Sequence, residues 1–275
     1  MMWYSEKDIR YRSGALMLAG VIMLPEGGSY PGAVFVHGSG NSDRTNPWYR
    51  EIARYLASHG VAVLLPDKRG CHESEGDWRK ANFHDLAADS IAGVKALQAQ
   101  NGIDPRRVGL IGVSQGGWIA PLAAHEADVA FVASLSGATV TPHEQFRHEL
   151  TQDIQQKGLP AVLSRIAFPI ARWFLRRQWP RWPDVEDFDP IPLWERLPVP
   201  GLPVFGDEDE RDNVPVRESV RRLEEAIQRN GRTDLAVKVF QGSGHGLREP
   251  RSKRIRQDFL RLLAEWITVQ RALRS

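Results

Sequence analysis

The chain has 275 residues, 42% hydrophobic and 25% charged, with a formal net charge of +2 at pH 7. That balance belongs to a folded globular protein and leaves no basic surplus for nucleic acid. A single cysteine, Cys71, excludes an internal disulfide, and no run approaches the roughly 20 apolar residues that span a bilayer. The start, Met1 to Asp8, lacks the basic opening and apolar core of a signal peptide, so the chain reads as soluble and cytoplasmic, without stable membrane anchoring.

In chain order, residues 8–24 alternate as a hairpin does, with Ile9 and Tyr11 against Leu16, Leu18 and Val21 and the turn at Ser13-Gly14. Short apolar runs at 33–36, 61–65, 108–113 and 129–135 predict strands. They alternate with predicted helices at 49–59, 83–100 and 115–126. Strands at 203–206 and 235–240 flank a helix near 216–229, and a last helix is predicted over 252–273. This alternation predicts an α/β fold, a mostly parallel central sheet with helices on both faces. Residues 142–200 interrupt it with an Arg- and Trp-rich run and a proline-rich return. A structureless loop of that length is improbable in a packed protein. An inserted helical cap is expected there, with the core formed by 1–141 and 201–275.

The strand at 108–113 runs into Gly112-Val113-Ser114-Gln115-Gly116, and a helix pattern begins at once behind it. Serine between two glycines at a strand-to-helix junction is a nucleophile elbow. Ser114 then sits on a tight turn at positive φ, where side chains at 112 or 116 would collide with backbone. Serine needs a base oriented by a carboxylate. Downstream, the strand ending at Gly206 leads into Asp207-Glu208-Asp209-Glu210-Arg211-Asp212-Asn213-Val214-Pro215, and the next into Gln241-Gly242-Ser243-Gly244-His245-Gly246. Both loops follow the carboxyl ends of their strands and open on the elbow's edge of the sheet.

These pieces, with His37-Gly38-Ser39-Gly40 and with Asp67-Lys68-Arg69-Gly70, Ser74 and Gly76, make the chain resemble an α/β-hydrolase over nearly its whole length. The resemblance is to bacterial esterases and oligopeptidase-like hydrolases. It implies Ser114 as nucleophile and His245 as general base. Counting from the strand-end glycine selects Asp209 as the acid; counting back from Val214-Pro215 falls on Arg211, which leaves Asp212 as second choice and Asp207 third. The oxyanion would be held by the N–H of Gln115 and one from the loop at Ser39 or Gly38. The resemblance makes His37 a structural buttress of that loop.

Neighbouring polar residues have plainer readings. Cys71 and His72 would point apart on an extended segment. His72, Glu73, Glu75 and Asp77 lack metal-ligand spacing and read as a solvated loop. His84-Asp85 reads as a helix-start capping and surface pair, and His143 and His148 as exposed residues at the cap entrance. In the cap, Phe168, Trp173, Phe174, Trp179 and Trp182 are expected to roof the site and line an apolar pocket, while the arginines reach water. A basic aromatic face for lipid or an acidic acyl carrier is the alternative. The expected substrate is a small-molecule carboxylic ester with a small to medium apolar acyl group, cleaved without metal or cofactor. Thioesters and small peptides follow, then acyl transfer to another acceptor, and last a non-catalytic binding protein on the same fold.

Overall fold

The computed structural model describes residues 2–270. Strands β1 (Tyr4–Ser13) and β2 (Leu16–Pro25) form the hairpin, turning through Gly14 at φ +57°. The remaining strands are β3 (Tyr30–Val36), β4 (Ala62–Pro66), β5 (Ile103–Val113), β6 (Val132–Leu135), β7 (Gly201–Gly206) and β8 (Lys238–Phe240). Together they make one eight-stranded sheet in the order β1-β2-β4-β3-β5-β6-β7-β8, with β2 antiparallel to both its neighbours, β1 and β4, and every other adjacent pair parallel. Side chains alternate across the sheet. Val34 and Val36 of β3 join a core shared with Leu86, Val94 and Ile119, whereas Ala33 and Phe35 face Ile52, Leu56, Phe259 and Leu263.

Helices cover both faces. The chain forms α1 (Pro47–Ser58), α2 (Phe83–Gln98) and α3 (Gly116–Ala124) between the first parallel strands. Local chemistry sets their starts: Asn46 accepts the N–H groups of Trp48 and Tyr49 ahead of α1, and Asn82 with Asp85 closes a capping box on α2. Between β6 and β7 a helical excursion contains α4 (Pro142–Gln156), α5 (Leu163–Gln178) and α6 (Ile191–Glu195). Then α7 (Val216–Asn230) ends at Gly231 in the left-handed region, φ +61°, and α8 (Gln257–Val269) closes the described chain.

Several predicted boundaries move: β3 starts at Tyr30 rather than 33, β5 at Ile103 rather than 108, and β6 at Val132 rather than 129. The hairpin starts four residues earlier, at Tyr4. The last strand is shorter than 235–240, since Leu235 makes only an isolated bridge to Gly201. The final helix starts at Gln257 rather than 252, because an Arg248–Ile255 bridge folds the preceding residues back on themselves. The stretch of that predicted helix over 271–273 lies outside the described residues.

Candidate active site

The elbow owes its shape to close packing. Ser114 has φ +51°, and its N–H donates to the Leu135 carbonyl at 2.9 Å. A Cβ at Gly112 would lie 2.2 Å from the Gly116 carbonyl oxygen, and one at Gly116 would lie 2.1 Å from that of Val36. Both glycines are therefore steric requirements of the turn that presents Ser114.

The loops after β7 and β8 are zipped together behind His245. Asp207 accepts the Gly242 N–H at 2.6 Å, the Glu208 N–H donates to the Ser243 carbonyl at 2.9 Å, and the Ser136 hydroxyl donates to the His245 carbonyl at 2.8 Å. His245 Nδ1 lies 2.8 Å from Asp209 Oδ2, and Asp209 is 0% exposed. Burial works against the His245 imidazolium, yet the Asp209 hydrogen bond and charge, with Glu149 and Asp212 adding, hold its pKa above the ordinary value. Asp212 is exposed, three residues further along, and its N–H donates to the Asp209 carbonyl. Asp207–Arg211 form a 3-10 turn in which Asp209 is the buried residue.

At the end of β3, the Gly38 N–H already donates to the Tyr49 hydroxyl at 3.2 Å. The N–H groups of Ser39 and Gln115, on the wall of the cavity that holds Ser114, take no protein acceptor among the described residues. That favours Ser39 over Gly38 as the loop's free donor. Lys68, buried beneath, donates to the carbonyls of Gly38 at 2.7 Å and Gly40 at 3.3 Å and to Gln115 Oε1 at 3.1 Å.

Ser114 stands between two recesses. One, of about 690 Å³, is lined by Trp78, Trp118, Phe146, Leu175, Trp179 and Trp182 and contains Ser39 and Gln115. The other, of about 360 Å³, is lined by Gly38, Trp48, Tyr49, His245 and Arg248. Trp179 and Trp182 thus stand where the sequence places them. Trp173 and Phe174 do not: they pack edge-to-face on the outer surface of α5, 52% and 54% exposed. Helical geometry explains the difference, since Phe168 and Leu175, seven apart, turn inward while Ile166, Ile170 and Trp173 share the opposite face.

The sequence reading missed Trp78, Trp118, Phe146 and Leu175 on the cavity wall, and with them the polar pair Gln145 and Glu149. The positions 142, 145, 146 and 149 on α4 all line the cavity. This is the spacing of one helix face and the signal that could have found them. Glu149 accepts from Gln145 Nε2 at 2.7 Å, and burial pushes its carboxyl up from 4.5 to about 7, against Gln145 and His245, which lower it. A carboxyl with a raised folded-state pKa supports folding below its unfolded value and loses that support as pH climbs through 7. Glu149→Gln is therefore expected to raise Tm by about 2–4 °C at pH 8 and to leave it nearly unchanged at about pH 4, below the unfolded value, in thermal melts at the two pH values.

His37 is a buttress: its Nε2 meets the Pro66 carbonyl at 2.6 Å, its Nδ1 meets Ser42 at 3.0 Å, and burial holds its pKa down at about 4. Cys71 and His72 lie in a turn rather than an extended segment, with His72 at φ +49° against Asp67. Glu73 pairs with Arg10, Glu75 accepts the Met17 N–H, and Asp77 accepts the Arg79 N–H. His84 meets Glu126 at the surface while Asp85 completes the capping box. His143 and His148 are half-buried, not exposed. His143 packs on Phe168, and the His148 Nε2 lies 2.9 Å from the Glu210 carbonyl, near which Gln156 Nε2 donates to the Arg211 carbonyl at 2.7 Å.

A sheet of this order, with a serine elbow after β5 and His and Asp on loops after β8 and β7, is the α/β-hydrolase fold. The chain belongs to the prolyl oligopeptidase family, peptidase S9, whose profile matches residues 47–270. It is 27% identical over 258 residues to the esterase EstD of Thermotoga maritima, covering 88% of this chain and spanning 60% of EstD. Among solved structures, an esterase of Pyrococcus furiosus matches at TM-score 0.66 and 19% identity, over 96% of this chain and 89% of that one. A dienelactone hydrolase of Anabaena variabilis matches at TM-score 0.64 and 20% identity, over 98% and 99%. No helix among the described residues is long and apolar enough to cross a membrane.

Proposed function

We propose that this chain is a serine hydrolase that cleaves a carboxylic ester of a small to medium apolar acid through an acyl-enzyme. The observation that carries the reading is the buried Asp209 held 2.8 Å from His245 Nδ1, with His245 Nε2 left for Ser114 across their shared recess. Ser114 Oγ attacks the ester carbonyl and His245 takes its proton. The carbonyl electron pair moves onto oxygen, opposite the N–H groups of Ser39 and Gln115. Collapse expels the alkoxide with the proton from His245. Water, deprotonated by the same imidazole, then releases the acid. Asp209 keeps the imidazole in the tautomer that leaves Nε2 free to accept. These steps call on no metal or cofactor.

The two recesses divide the substrate. The aromatic one, with Trp179 and Trp182, suits the acyl chain, and residues 142–200 serve as a cap over the core of 1–141 and 201–275. The recess beside His245 suits the leaving group, where the imidazole delivers its proton. EstD, named an esterase, supports an ester over a peptide.

The test is hydrolysis of p-nitrophenyl esters from acetyl to lauroyl, with a fluorophosphonate probe mapped by peptide mass spectrometry. Turnover is expected to be best at medium chain length, with the label on Ser114. No turnover at any length and no labelling of Ser114 would overturn the reading. An optimum at acetyl would overturn the assignment of the aromatic recess to the acyl chain.

A further inference from the structure

Lys68 is the buried charge that the acyl-enzyme chemistry leaves without a role. It is 6% exposed and makes no ion pair among the described residues. An ammonium withdrawn from water without a carboxylate is costly to the folded protein. Burial accordingly pushes its pKa down to about 7. What it gains instead is three oxygen acceptors at 2.7, 3.3 and 3.1 Å, belonging to Gly38, Gly40 and Gln115. The Trp78 ring, on the wall of the aromatic recess, lies 4.9 Å from Nζ.

We propose that Lys68 is a positioning residue that aims both oxyanion donors, the N–H of Ser39 and the N–H of Gln115, from a single buried ammonium. The inference rests on the acyl-enzyme reading above. The chain has no cis peptide bond among the described residues, so the Gly38–Ser39 peptide is trans, and its C=O and N–H point in opposite directions. An ammonium holding the Gly38 carbonyl from one side turns the Ser39 N–H to the other. The preceding peptide is held as well, by the Gly38 N–H on the Tyr49 hydroxyl, so the backbone is pinned on both sides of Gly38. It packs directly on the nucleophile: a Cβ at Gly38 would lie 3.3 Å from Ser114 Cβ. The third acceptor belongs to Gln115, so the same ammonium fixes the residue that carries the second donor. The positive charge behind the Gly38 carbonyl also polarises that peptide and strengthens its N–H as a donor to a developing oxyanion.

The test compares wild type, Lys68→Met, Lys68→Gln and Lys68→Arg on the best p-nitrophenyl ester, alongside affinity for an alkyl trifluoromethyl ketone of the same chain length. Ser114 adds to that ketone: its Oγ–carbon bond forms, the carbonyl pair becomes an oxyanion, and the proton passes to His245. Lys68→Met is expected to lower kcat by about 10- to 100-fold with KM within about threefold, and to weaken the ketone by the same factor. Where Lys68→Met does not fold, Lys68→Arg is expected to retain more kcat and more ketone affinity than Lys68→Gln. The proposal is overturned if the folded Met variant keeps kcat within twofold, if the loss falls on KM, if kcat drops while ketone affinity holds, or if Gln matches Arg. Wild-type turnover and Ser114 labelling are read in the same experiment, so failure of the acyl-enzyme reading is seen separately.

Discussion

Ser114→Ala is expected to lower kcat for ester hydrolysis by about 10⁶, Asp209→Asn by about 10⁴, and Asp212→Asn by no more than twofold. The ranking follows from geometry. In the proposed mechanism alanine removes the atom that forms the acyl bond. Asparagine at 209 keeps the size of the side chain but offers an amide where His245 Nδ1 needs an acceptor, 2.8 Å away in a site closed to water. The imidazole then favours the tautomer that places its proton on Nε2, facing Ser114, where it cannot act as a base. Asp212 is exposed and bonds the Asp209 carbonyl only through its backbone N–H, which the substitution keeps. Steady-state kinetics with circular dichroism as a check on folding decides the matter. A large loss in Asp212→Asn with Asp209→Asn near wild type would reverse the assignment.

Arg44→Met is expected to destabilise the fold by about 3–5 kcal/mol, a fall in Tm of roughly 6–20 °C. Arg44 is nearly buried and grips Asp67 through its backbone N–H at 3.0 Å, Nε at 3.0 and 3.1 Å and Nη2 at 2.6 Å. The Asp67 side chain is fully enclosed. Removing the guanidinium strands that carboxylate in the interior, and the cost comes more from the lone charge than from the lost attraction. Arg44→Met combined with Asp67→Asn is accordingly expected to recover part of the loss in denaturant melts. Asp67 immediately precedes Lys68, so the pair also anchors the segment that carries the buried ammonium.

The elbow was legible because its chemistry is local: two glycines around a serine at a strand end state a steric requirement that Val36 and Gly116 backbone atoms then impose. The alternation of strands and helices followed from the same kind of short-range pattern, whereas the order of the strands in the sheet rests on long-range pairing that no local pattern states. The acid loop stood at the edge of legibility, since residue counting from its two ends disagreed and only the fold shows Asp209 buried against His245 with Asp212 exposed. The aromatic wall was half legible. Composition announced an apolar surface in the excursion, but only helix phase separates Leu175, which faces the cavity, from Trp173 and Phe174, which face water. Lys68 and Glu149 were not legible as site residues. Charged side chains usually mark solvent, and only partners from distant stretches of chain enclose these two.

The side chains of His148 and Gln156 on α4 reach across to main-chain oxygens at Glu210 and Arg211, one and two residues past Asp209. Pro142, Gln145, Phe146 and Glu149 of the same helix line the aromatic recess, so two hydrogen bonds tie one wall of that recess to the loop that carries Asp209, and neither can be displaced without straining the other.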